Sequence, residues 1–248
     1  MKIIISPAKK MKAETYLEGK INPILKDKSY TLVKFLKSLT IDEISSSFKI
    51  KGKLLNETID LIDHLDLDHD LHPAIFSYDG IQYKYMGANI FSNDELDYVN
   101  NHLFILSGLY GVLRPLDSIT RYRLEMQAQF KGKEIEDLYK YWNKDIYNVV
   151  YQDDDTVLNL ASLEYSKTIK PYINDSQKFV DVFFYELENN KLVEKGVYAK
   201  MMRGTMVKWL AQNKIDTIEE VKNFEEDGYK YSLEHSTNNK LVFIRQER

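Results

Sequence analysis

Cysteine is absent from all 248 residues. That excludes disulfides, thiolate metal sites, cysteine nucleophiles and thiol-based redox sensing within this chain. No stretch of eighteen apolar residues exists, so no membrane-spanning helix is expected. The apolar run in MKIIISPAKK is too short for a secretion signal, which points to the cytoplasm. An excess of positive charge is also missing: the formal net charge is −4. General polyanion binders are usually basic, so any nucleic-acid site must be a local patch on an acidic body. No P-loop, dinucleotide fingerprint or serine–histidine–carboxylate order occurs. No linker, low-complexity tract or repeat divides the chain, which reads as one domain over 1–248. Its 44% hydrophobic and 29% charged residues are ordinary for a globular protein with a sizeable core. Eighteen tyrosines against two tryptophans decide nothing, because tyrosine serves cores and ligand sites alike.

Short apolar runs predict buried strands at Lys2–Ile5, Leu103–Leu106 and Thr156–Leu160. Lys178–Glu186 reads as a strand returning through Asn189-Asn190 into Lys191–Lys195. Two closing strands flank Asn238-Asn239. Helical periodicity appears over Pro23–Leu39, Ile41–Phe48 (capped by Thr40), Leu54–Leu65, Ser92–Asn101, Ile135–Val150 and Val197–Leu210. The elements do not alternate cleanly as βαβα, so the expectation is a mixed α/β (α+β) domain whose sheet contains antiparallel pairs, not a doubly wound parallel sheet. The acidic stretch HLDLDHDLH at 64–72 carries three histidines and alternate aspartates. It lacks the glycine and the bidentate glutamate of a calcium loop, and nothing fixes an iron geometry, so no metal and no cofactor are expected.

The centre of interest is LFILSGLYGVLRPLDSITRYRLEM, 103–126. An apolar strand feeds a turn bracketed by Gly108 and Gly111, followed by Arg114, Arg121 and Arg123. Glycines let backbone N–H groups approach a ligand. Arginines present rigid donor forks to phosphate or carboxylate. The plain alternative is a structural turn whose arginines pair with Asp117 and Glu125. Three other segments share the design of an apolar element ending in small, basic or hydroxyl residues: Ser6-Pro7-Ala8-Lys9, Asn159-Leu160-Ala161-Ser162 with Glu164-Tyr165, and Ala199-Lys200 with Arg203-Gly204. Gly204 sits mid-helix at a cost of roughly 1 kcal/mol, which suggests close packing or a ligand approach.

Read in order, ISPAK, LSGLYGVLRPLD, YRLEM, NLAS with EY, and AK with RG resemble the YaaA family of bacterial proteins over nearly the whole chain. The C-terminal Gly228-Tyr229 and Val242-Phe243 with Arg245 fit the same pattern. The resemblance implies a family-specific mixed α/β fold with a positively charged cleft and a helix-hairpin-helix-like element. It also implies DNA binding and a role in peroxide stress. The hairpin fits best at 73–87, around Asp79-Gly80 and Gly87, and second best at 108–111. On this reading Lys9, Lys10, Arg114, Arg123, Lys200, Arg203 and Arg245 line one cleft for the phosphates of duplex or locally opened DNA, with little base specificity. Ser6, Ser107, Gly108, Tyr110, Gly111, Tyr122, Glu125, Asn159, Ser162 and Glu164 complete it. The rival reading is an enzyme for a small phosphorylated or carboxylated substrate in the same cleft, with Lys9 or Lys200 as a perturbed base. An enclosed pocket around Glu125 and Glu164 favours the enzyme, and an open groove of duplex width favours DNA.

Overall fold

A computed structural model describes residues 1–12 and 17–246. Residues 11–22, which read as irregular in the sequence, therefore lie partly outside the described residues. The main sheet comprises β1 (Lys2–Ile5), β2 (Leu103–Ser107), β3 (Gly111–Leu113), β4 (Thr156–Leu160), β5 (Lys178–Glu188), β6 (Lys191–Val193), β7 (Tyr229–Tyr231) and β8 (Lys240–Gln246). Its order is β7-β8-β5-β4-β1-β2-β3, with β6 paired to β5.

The expected antiparallel pairs are present at the margins: β2 with β3, β5 with β6, and β7 with β8. The centre differs from expectation. β8, β5, β4, β1 and β2 all run parallel to one another. Numbered along the chain, these five take the spatial order 2-1-3-4-5, a doubly wound order. The residues explain it. Ile3, Ile4 and Ile5 are wholly buried, as strands covered on both faces must be. The sheet order reverses at β1, between β2 and β4, and a crevice opens there beyond the carboxyl ends of the strands.

The helices are α1 (Lys26–Lys37), α2 (Ile41–Phe48), α3 (Lys53–Asp63), α4 (Ala74–Ser77), α5 (Ile81–Met86), α6 (Asn93–His102), α7 (Leu138–Trp142), α8 (Asp145–Val150), α9 (Leu163–Ser166), α10 (Gly196–Asn213) and α11 (Ile218–Val221). Thr40 and Ser92 start α2 and α6 with full capping boxes, closed by Glu43 and Glu95. The stripe over 135–150 is not one helix. Asn143 adopts φ 45° and divides it into α7 and α8.

Packing between α5 and α10 shapes one side of that crevice. Gly204 of α10 lies directly against the α5 backbone: a Cβ there would overlap the Gln82 carbonyl oxygen and stand 2.9 Å from the Met86 nitrogen. A Cβ added to Gly80, just before α5, would stand 2.9 Å from the Ala8 Cβ. Two glycines thus press α5 between α10 and the loop that leaves β1.

Candidate functional site

β1 and β4 end side by side in the sheet, and each delivers a serine. The Ser162 N–H donates to Ser6 Oγ at 2.9 Å, and the Ser6 hydroxyl donates to Ser162 Oγ at 3.2 Å. These serines form part of a cleft of about 620 Å³. One wall is Pro7 to Lys10 after β1. A second is Asp79 to Tyr83, running into α5. A third is Tyr122 to Glu125, and Glu164, Tyr165, Lys200 and Arg203 complete the lining.

Five cationic side chains, Lys9, Lys10, Arg123, Lys200 and Arg203, face three carboxylates, Asp79, Glu125 and Glu164. The cleft is therefore locally positive on an acidic chain. Glu125 is shared: Lys9 Nζ reaches it at 2.7 Å and Arg123 Nη2 at 3.0 Å. Arg203 is nearly enclosed, and its nearest carboxylate, Glu194, is 3.4 Å away. Burial pulls the guanidinium pKa down and Glu194 only partly restores it. The side chains of Lys10 and Lys200 have no hydrogen-bond or ion-pair partner among the described residues. Glu164 has no salt-bridge partner there either, and Oε1 accepts from the Gln127 N–H at 3.3 Å. Burial raises the Glu164 pKa, with the Glu125 charge adding to it, against the lowering effect of that backbone hydrogen bond.

Four buried side-chain polar atoms lack a hydrogen-bond partner among the described residues: Gln82 Nε2, Arg123 Nε, Arg203 Nε and Ser166 Oγ. The first three belong to residues of this one cleft, and all three are donors. Buried donors are nearly always satisfied, so a cluster of unsatisfied ones calls for a partner supplied from outside.

Other residues proposed from the sequence lie elsewhere. Ser107 is fully buried and linked by hydroxyl bonds of 2.6 and 2.8 Å through Tyr122 to Tyr78. Burial pushes the Tyr122 phenol up to about 12. Gly108 and Gly111 belong to a buried β-hairpin turn packed on Trp142, whose Nε1–H donates to the Gly108 carbonyl at 3.0 Å. Gly111 has φ +69° against that indole, and Tyr110 receives the Thr120 N–H. This turn supports the cleft from behind, because Gly108 abuts Leu124, and it offers no backbone to a ligand. Arg114 pairs with the buried Asp117 at 2.8 Å, so the structural alternative describes it. Asn159 holds the turn after β4, accepting from the Ala161 N–H and donating to Asp181. Arg245 is bound to Glu186 at the far edge of the sheet, between the rings of Tyr198 and Tyr229. The single cleft expected for seven cations thus gathers Lys9, Lys10, Arg123, Lys200 and Arg203, without Arg114 and Arg245.

Sequence reasoning did not single out Gln82 or Tyr83. Gly204 was the available signal, since a mid-helix glycine marked an approach whose partner is α5. Residues 73–87 hold α4, an extended pair at Tyr78–Asp79 laddered to Lys10–Met11, and α5. Residues 108–111 join two strands, not two helices. In the acidic stretch, Asp68 takes Lys26 and Tyr30, and Asp66 and Asp70 take His69 and His72. No group of three metal-binding side chains occurs among the described residues. No described helix is long and apolar enough to cross a membrane.

The raised Glu164 pKa has a measurable consequence. Folding favours its protonated form, so its contribution to stability is present below the ordinary glutamate pKa and lost as pH rises through the raised value. Glu164→Gln is expected to raise the melting temperature at pH 7 to 8, with the advantage vanishing near pH 4. Calorimetric melts across that range check it, and an advantage that grows toward low pH contradicts it.

Comparison with known proteins covers the same segments. The family model described as "Peroxide stress protein YaaA" matches residues 1–235. A UPF0246 protein of Desulfitobacterium hafniense is 43% identical over 246 residues, covering 99% of this chain and 98% of the relative. UPF0246 proteins of Lachnoclostridium phytofermentans and Ligilactobacillus salivarius are each 42% identical, over 248 and 247 residues, covering 100% and 99% of this chain and 97% and 100% of theirs. The cleft's wall-forming segments all fall inside the matched region, and the chain belongs to the peroxide stress protein YaaA (UPF0246) family.

Proposed function

We propose that the cleft binds a small molecule through an anionic group, phosphate or carboxylate, and acts on it as an enzyme in the peroxide stress response. One observation carries this reading: Arg123 and Arg203, each with a buried Nε–H that has no partner among the described residues, line one cleft of about 620 Å³. That volume lies within the range of about 300–1,000 Å³ typical of small-molecule sites. The location, at the sheet's switch point, is where ligands bind in open α/β sheets. The two carboxylates support chemistry. Glu125 is paired with Lys9 and Arg123, whereas half-buried Glu164 has no ion pair among the described residues, and burial raises its pKa. A raised pKa suits a carboxyl group to hold a proton for transfer.

DNA binding is the second reading. Exposed Lys9, Lys10 and Lys200 favour it, because they can contact a phosphate backbone while one nucleotide enters the cleft. The 73–87 segment is its candidate hairpin element.

The two are separated by titrating the chain with ribose 5-phosphate by calorimetry, and with single-stranded and duplex oligonucleotides by fluorescence anisotropy at several salt concentrations. The first reading expects saturable binding of ribose 5-phosphate that competes with the single strand and is weakened in Arg203→Gln. Tight duplex binding with no response to ribose 5-phosphate or to Arg203→Gln overturns it.

A further inference from the structure

We infer that the ligand is nucleotide-like: a planar heterocycle with an amide or amidine edge, joined to the anionic group. The inference rests on the anion-binding reading above and extends it to the other end of the molecule.

Gln82 is the residue that a simple anion does not explain. It is 7% exposed, it lines the cleft, and its Nε2 has no hydrogen-bond partner among the described residues. No side-chain hydrogen bond engages its Oε1 among the described residues either. A carboxamide offers one acceptor and two donors in a plane. Its natural complement is another planar edge with a donor beside an acceptor, which is the pairing by which glutamine reads nucleobase edges. An isolated phosphate or carboxylate accepts only, and the two arginines already provide for it.

The position of Gln82 is fixed, not adventitious. Its backbone carbonyl is packed against Gly204, one residue from Arg203, so the amide and one guanidinium are held at a set spacing. Leaving a buried carboxamide unpaired is costly, because its donors and acceptor lose water without gaining a partner. A residue needed only to fill space there could be methionine or leucine at no such cost.

Size and wall chemistry agree. Inorganic phosphate alone would leave most of about 620 Å³ unfilled. The remaining walls include Pro7, Ala8, Ile81, Leu124 and the ring of Tyr122, surfaces suited to a flat, weakly polar body. Such an arrangement clamps a charged end between arginines, presses a ring against apolar walls, and reads the ring's edge with one amide.

The test compares uridine 5′-monophosphate, ribose 5-phosphate, inorganic phosphate and orotate by calorimetry on the full chain. Uridine monophosphate is expected to bind about tenfold more tightly than ribose 5-phosphate, the worth of two added neutral hydrogen bonds. Gln82→Met, close in shape, is expected to bring the affinity for uridine monophosphate down to that for ribose 5-phosphate. Tighter binding of orotate than of uridine monophosphate also supports the heterocycle and assigns the anionic end as carboxylate. Equal affinity of the wild-type chain for uridine monophosphate and ribose 5-phosphate, with orotate silent, overturns the inference while leaving the anion site standing. Absence of binding by all four removes the anion site itself, and the inference with it. Because the decisive comparison uses the wild-type chain, it does not depend on the variant folding.

Discussion

Arg203→Gln is expected to weaken ribose 5-phosphate binding by about 10- to 100-fold, and Glu125→Gln to tighten it by about 3- to 10-fold. The first figure reflects the worth of hydrogen bonds to charged groups, about 1.5–3 kcal/mol, where 1.4 kcal/mol is a factor of ten. Arg203 is well placed to deliver that energy. It is largely desolvated, and among the described residues its only carboxylate contact is long at 3.4 Å and its Nε has no partner. An arriving anion therefore replaces little and gains a nearly free guanidinium. Glu125 acts with the opposite sign. It already occupies Lys9 and Arg123, so a ligand anion must compete with it for both and accept its repulsion. Two like charges about 4 Å apart repel by up to about 4 kcal/mol in a moderately polar environment. Part of this returns as lost positioning of Arg123, which keeps the net gain modest. Calorimetry at fixed ionic strength reads both changes. Equal weakening in the two variants would mean that Glu125 builds the binding geometry and does not compete for it.

Most of the elements were legible because their signals are local. Thr40 caps α2 as the sequence indicated, Ser92 caps α6 at one of the two positions it offered, Ser92 or Asn93, and the apolar runs at Lys2–Ile5 and Thr156–Leu160 became strands. The parallel core was not inferred, although the same runs carried the hint: Ile3, Ile4 and Ile5 without alternation belong to a strand buried on both faces. What obscured it was the crossover from β1 to β2, which spans α1 to α6 and hides the simple βαβ rhythm. The candidate site divides by the same logic. Lys9, Arg123, Glu125, Ser162, Glu164 and Arg203 sit beside short motifs, and the fold brings them together. Arg114 looked equivalent to Arg123, yet Asp117 three residues on captures it locally. Nothing in the spacing distinguishes the two arginines, because the difference lies in which carboxylate has room to remain shared. Gln82 was invisible for another reason. Its importance comes from a helix crossing, and a helix crossing is a property of two segments more than a hundred residues apart.

That crossing supports the prediction with the largest expected structural effect. In an ordinary exposed helix, replacing glycine by alanine stabilises by up to about 1 kcal/mol. Gly204→Ala is expected to do the reverse, lowering stability by about 1–2 kcal/mol net, or about 2–8 °C in melting temperature for a chain of this size. The added methyl has nowhere to go. Its nearest neighbours are the Gln82 carbonyl group and the Met86 nitrogen, all backbone atoms, so no side-chain rotation relieves the overlap and α5 must move away from α10. Moving α5 carries Gln82 away from Arg203, so ligand affinity should fall together with stability. Gly196→Ala is the matched control, since it lies at the first residue of the same helix with no atom near the added Cβ. It should leave both quantities unchanged or raise stability slightly. Thermal melts and ribose 5-phosphate titrations of the two variants read the difference directly. If Gly204→Ala proves as neutral as Gly196→Ala, the two helices do not touch as closely as Gly204 requires, and the fixed spacing between the carboxamide and the guanidinium is lost as an explanation for the site.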